Sequence, residues 1–126
     1  MTANKDFNRA AAAVTGNKTL AAVDCGVVQL VKADAPIFTL PSTAAGLTFT
    51  FRNGSTYDGQ YGFAISPAAA DGITGGGLAT PVINKDILVT KATTRATDEI
   101  TLVGTGTAGT GAWIISNSIG TYTREA

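Results

Sequence analysis

Apolar and polar residues alternate most strictly over Leu47-Thr48-Phe49-Thr50-Phe51. With side chains pointing to opposite faces in turn, a strand here sets Leu47, Phe49 and Phe51 against a core and Thr48, Thr50 and Arg52 away from it. The same period marks Phe63-Ala64-Ile65 and Ile100-Thr101-Leu102, and also Ile87-Leu88-Val89, where an apolar middle residue allows a second buried face. Runs of β-branched and aromatic residues at 19–23, 27–31, 37–40, 112–116 and 121–124 predict further strands. Between them, Asp24-Cys25-Gly26, Asn53-Gly54, Asp58-Gly59 and Asp71-Gly72 each offer a turn residue that tolerates positive φ.

About nine short strands with no long helical stripe predict an all-β fold, a compact antiparallel β-sandwich or barrel of jelly-roll-like form. Leu20, Val28, Leu30, Ile37, Leu40, Leu47, Phe49, Phe51, Phe63, Ile65, Ile87, Val89, Ile100, Leu102, Trp113 and Ile115 are its expected core. Residues 18–126 form the expected domain and 1–17 an extended N-terminal arm. Within that arm, 6–14 suits either a helical turn capped by Asp6 and stopped by Gly16 or a disordered segment, since its apolar residues form no stripe.

Composition narrows the function. The chain has 126 residues, one domain's worth, with 44% apolar and only 14% charged residues, against about 25% charged in an average soluble domain. That profile suits a β-protein much of whose surface is covered by neighbours. Nine basic and nine acidic side chains cancel, which leaves no electrostatic footprint for a phosphate backbone, so no nucleic acid is expected as a partner. No run reaches the length of a membrane span, so no membrane is expected either. The start lacks the order of a signal peptide, and Cys25 is the single cysteine, so cytoplasmic synthesis without a disulfide staple is the expectation. Asn17-Lys18-Thr19 and Asn53-Gly54-Ser55 match the N-glycosylation pattern by chance on this reading.

Candidate chemistry is sparse. The chain holds no histidine, so the usual general base and the commonest metal ligand are both missing. Cys25 has no base beside it in sequence and reads as part of a tight turn. The aspartates fall singly at turns, and no closely spaced acidic set marks a calcium loop. Gly104-Thr105-Gly106-Thr107-Ala108-Gly109 fits the dinucleotide fingerprint in form, but the strand-like Gly111-Ala112-Trp113-Ile114-Ile115 follows where a helix is required. It reads as a flexible loop between two antiparallel strands. Gly75-Gly76-Gly77 lacks the lysine and Ser/Thr of a phosphate loop and reads as flexible. No catalytic residue, cofactor or metal is expected, and the chain reads as a non-enzyme.

Leu40-Pro41, Ala45-Gly46-Leu47-Thr48-Phe49-Thr50-Phe51, Ile65-Ser66-Pro67, Asp71-Gly72-Ile73, Gly111-Ala112-Trp113-Ile114-Ile115-Ser116 and Gly120-Thr121-Tyr122 occur in that order. The set resembles the small β-rich virion proteins of tailed bacteriophages, over most of the chain from 19 to 124. The inserted segment 66–85 departs from the fuller pattern. The resemblance implies a capsid decoration, or cement, protein on the outer surface of a phage head. Such a protein ties major capsid protein subunits together, commonly as a homotrimer near threefold positions. On that reading the arm, with Phe7 and Arg9, and the glycine-rich loops 71–78 and 104–111 meet the shell or sister subunits, with Asp71, Gly75, Gly76, Gly77 and Leu78 as contacts. The alternative is a receptor- or carbohydrate-binding module of a head or tail fibre, for which Tyr57, Tyr61 and Tyr122 are the stacking candidates.

Overall fold

The computed structural model describes residues 10–79 and 81–126. The described chain is all-β with almost no helix: β1 (Ala11–Val14), β2 (Lys18–Thr19), β3 (Val28–Val31), β4 (Ile37–Thr39), β5 (Thr48–Asn53), β6 (Phe63–Ser66), β7 (Asp71–Thr74), β8 (Ile87–Val89), β9 (Glu99–Gly104), β10 (Gly109–Ile119) and β11 (Thr123–Arg124). Two sheets result, one of six strands in the order β1-β3-β5-β9-β10-β7 and one of five in the order β11-β8-β6-β4-β2. The arrangement is compatible with a β-sandwich.

The sheets are mixed, which corrects the antiparallel, jelly-roll-like expectation. β1 runs parallel to β3 and β3 to β5, while in the other sheet β2 runs parallel to β4 and β4 to β6. Successive strands from β1 to β6 alternate between the sheets. Parallel neighbours need a long crossover, and here each crossover contains a strand of the opposite layer. Ala11, Val28 and Thr50 therefore lie side by side on one sheet, and Lys18, Phe38 and Ile65 on the other. Later strands reverse: β9 pairs antiparallel with β5 and β10, and β8 with β6 and β11.

One apolar cluster takes side chains from both sheets. Phe38 of β4 meets Phe51 of β5 with ring centroids 4.9 Å apart, and Trp113 of β10 lies 5.6 Å from Phe49. Most of the expected core is buried. In β3 and β4, however, the inward face is the opposite one: Val31 and Phe38 are buried, Val28 and Leu30 are half-buried on the outer face, and Ile37 is 41% exposed. Both strands carry apolar residues at odd and even positions, so alternation cannot choose between faces. The choice falls to Phe38, which fills the space between Phe51 and Phe63. Gln29 turns inward with Val31, and its Oε1 accepts from Lys18 Nζ at 2.7 Å.

Within the stretch 1–17 expected as an arm, Ala11–Val14 is a strand paired with β3, and Val14 is buried. Asn17 also lies in this stretch, its Oδ1 accepting from Ile37 N at 2.9 Å. The expected contacts Phe7 and Arg9 lie outside the described residues.

Candidate functional site

The two glycine-rich segments expected as loops are brought against each other inside the six-stranded sheet. β7 runs parallel to β10, with Asp71 opposite Gly109, Ile73 opposite Trp113 and Thr74 opposite Ile114. The pairing is this close because Gly72 has no side chain: a Cβ there would press on Thr110 of β10 and on the Val82 carbonyl. Asp71 is buried, and its Oδ2 accepts from Thr43 N at 2.9 Å. Thr43 Oγ1 in turn donates to the Ala112 carbonyl at 2.6 Å. Asp71 thus clamps the 41–46 loop to the sheet. The 104–109 segment joins antiparallel β9 and β10, as its sequence context required, with Thr105 N bonded to the Ala112 carbonyl.

Gly75, Gly76 and Gly77 have φ of 96°, 59° and 84°. Three successive positive φ values explain the glycine run by backbone conformation, where the sequence suggested flexibility. The loop is tied down as well: Leu78 N donates to the Gly75 carbonyl at 3.1 Å, Leu78 packs against the core, and Tyr122 Oη donates to the Gly76 carbonyl at 2.6 Å.

Two hollows open on the described surface. One, of about 710 Å³, is lined by Asp58, Thr93, Arg95, Asp98 and Thr121 among others. Its carboxylates hold loop backbone: Asp98 Oδ2 accepts from Arg95 N at 2.9 Å within its own loop, and Asp58 Oδ1 from Ala96 N at 3.3 Å across to that loop. Asp98 is 6% exposed. Gly120 must be glycine here, because a Cβ would run into the Asp98 carboxylate. The other hollow, of about 420 Å³, crosses the outer face of the five-stranded sheet. There Ile37, Ala64 and Leu88 lie in one row, and Lys91 pairs with Asp34 at 3.7 Å on its rim.

The tyrosines separate by exposure. Tyr57 is 62% exposed, whereas Tyr61 and Tyr122 pack against the core and the Tyr122 hydroxyl is engaged with Gly76 and Ser118. Cys25 is exposed in its turn, and its Sγ accepts from Thr48 N at 3.4 Å. Neither sequon asparagine stands free: besides Asn17, Asn53 is buried, its Nδ2 donating to the Tyr61 carbonyl at 3.1 Å and its Oδ1 accepting from Ser55 N at 2.9 Å. Among the described residues no group of three or more His, Cys, Asp or Glu side chains is placed to hold a metal, and no helix is long and apolar enough to cross a membrane.

On the side of the six-stranded sheet away from the core the side chains fall into rows, and within them Thr50 is buried. One row holds Ala11, Val28, Thr50 and Thr101, and another Thr48, Val103, Ile114 and Thr74. A third runs Ala13, Leu30, Arg52, Glu99 and Ile119, and its two charges pair at 3.6 Å. Thr50 and Thr101 meet through their hydroxyls at 3.1 Å. No protein-family model matches the chain, and no curated protein matches it.

This face ends at an open edge. Val28 N donates to the Ala10 carbonyl and Lys32 N to the Val14 carbonyl, so in the parallel ladder Ala10, Ala12 and Val14 turn their backbone groups toward β3. Ala11 and Ala13 turn theirs outward. The other edges are managed: β2 and β11 are two residues long, and β7 is bridged by Ile83 through Gly72. β1 carries neither charge nor proline, and among the described residues no strand pairs with its outer side. Sequence reasoning missed this strand, because Ala-Ala-Ala-Val has no alternation.

Proposed function

We propose that this protein is a capsid decoration, or cement, protein on the outer surface of a phage head, where as a homotrimer it ties major capsid protein subunits together. The reading starts from the resemblance in sequence. The observation that carries it is the outer face of the six-stranded sheet, whose rows of described residues hold no charge but the Arg52–Glu99 pair and run to the β1 edge, which no described strand covers. A face of alanine, valine, threonine and isoleucine loses little on leaving water, because it has few charges to desolvate. An edge with outward N–H and C=O groups can take a strand from a neighbouring subunit. Many weak contacts of this kind, repeated over a shell, add up through multivalency. Copy number in purified particles is the direct test: hundreds per particle fit a shell-covering protein, and a few tens point to a fibre. Ala13→Lys, which sets a charge on the open edge, should lower occupancy while leaving the melting temperature near that of wild type.

A second reading rests on Tyr57, which is exposed and directly precedes Asp58, a residue lining the 710 Å³ hollow. An exposed tyrosine ring suits stacking on a sugar, as in a receptor- or carbohydrate-binding fibre module. Glycan binding that is lost in Tyr57→Ala, together with a low copy number, would favour this reading over the first.

A further inference from the structure

Asn-Gly is a chemically labile pair, because a glycine amide nitrogen meets little steric hindrance in attacking the preceding side-chain amide. In this fold Asn53-Gly54 is locked at every atom the reaction uses. The nucleophile, Gly54 N, donates to the Val31 carbonyl at 2.8 Å. The leaving group, Asn53 Nδ2, donates to the Tyr61 carbonyl at 3.1 Å, while Oδ1 is held by Ser55 N at 2.9 Å. Asn53 is 2% exposed, which keeps out the hydroxide that must take the amide proton and the water that must open the ring. The flanking backbone is fixed too, with Asn53 N bonded to the Asp98 carbonyl at 2.8 Å and Thr97 N to the Asn53 carbonyl at 3.2 Å.

We infer that Asn53 is a latent deamidation site, closed in the folded protein and open whenever the end of β5 unfolds, so that it records unfolding in covalent form. In the open chain Gly54 N loses its proton to hydroxide and bonds to Asn53 Cγ. The Cγ–Nδ2 bond then breaks, and Nδ2 leaves as ammonia after taking a proton from water. Water opens the succinimide at either carbonyl to give aspartate or isoaspartate. The net change is one water consumed and one ammonia released, with no oxidation or reduction. The product refolds poorly: an aspartate turns an acceptor toward the Tyr61 carbonyl where a donor stood, and isoaspartate lengthens the backbone where β5 meets Asp98.

The test incubates the full chain at pH 8 and 37 °C, folded in buffer and unfolded in concentrated urea, and follows Asn53 by peptide mapping and mass spectrometry. Conversion at Asn53 in the folded protein should be at least about a hundredfold slower than in urea, since the reaction then waits on rare opening. Equal rates in the two states would overturn the lock. Conversion in urea no faster at Asn53 than at Asn117 would overturn its lability. A third measurement, urea unfolding of Asn53→Asp, should show a lower midpoint than wild type, and an unchanged midpoint would remove the claim that the product refolds poorly.

Discussion

Replacing Gly76 by alanine tests the account of the glycine run most sharply, because its neighbour Gly77 serves as a control. Both have positive φ, 59° and 84°. A Cβ on Gly77 would meet nothing within 4 Å, whereas a Cβ on Gly76 would overlap the Tyr122 hydroxyl. For Gly77→Ala only the left-handed backbone counts, about 1–2 kcal/mol. Gly76→Ala adds the displaced hydrogen bond from Tyr122 to the Gly76 carbonyl, roughly 0.5–1.5 kcal/mol. It also shifts a ring that packs on the core. Together these terms give about 2–4 kcal/mol, which at a urea dependence of roughly 2 kcal/mol/M lowers the unfolding midpoint by about 1–2 M. Fluorescence of Trp113, the single tryptophan, reports the transition. In a Tyr122→Phe background the hydroxyl is gone, so the extra cost of Gly76→Ala should shrink toward that of Gly77→Ala. Additive effects of Gly76→Ala and Tyr122→Phe, or equal midpoints for the two glycine variants, would refute the contact as the reason for glycine at 76.

Other expectations follow from burial and bonding. Trp113 is fully buried, and its Nε1 has no hydrogen-bond partner among the described residues. Trp113→Ala should therefore cost about 3–5 kcal/mol in thermal or chemical unfolding, and Trp113→Phe far less, because it keeps a ring beside Phe49 and removes the unmatched donor. Asp71→Ala leaves Thr43 N without its acceptor and should cost about 1–3 kcal/mol, with Asp71→Asn closer to wild type because an acceptor oxygen remains. The inverted face of β4 predicts that Ile37→Thr leaves the melting temperature nearly unchanged while Phe38→Ala costs about 3–5 kcal/mol; the opposite order would restore the face expected from sequence.

For the strands, alternation was informative wherever one parity alone was apolar. Phe49 and Phe51, Phe63 and Ile65, and Ile100 and Leu102 all lie where their spacing placed them. It failed for β3 and β4, where Val27, Val28, Leu30 and Val31, or Ile37, Phe38 and Leu40, occupy both parities. β7 was hidden because Asp71-Gly72 carries a turn signal. In the fold Gly72 instead permits close backbone approach to β10, and Asp71 caps Thr43 from inside the sheet. Of the expected contact residues, Gly75, Gly76, Gly77 and Leu78 do form a loop, whose Gly76 and Gly77 lie at the surface. The outer sheet face and the β1 edge were not legible at all, since they exist only once distant strands lie side by side.

By itself, the order of residues determined the β class, most of the strand positions, the aromatic centre of the core and the scarcity of acid–base groups. These depend on side-chain type and on a period of two, which are local properties. Strand direction, the inward face of β3 and β4, the pairing of β7 with β10 and the exposed edge at β1 were decided by the tertiary structure. A strand has the same alternation whichever way its neighbour runs, so the choice falls to long-range packing: whether Phe38 can reach Phe51 across the layers, and whether the backbone of Gly72 can approach Thr110.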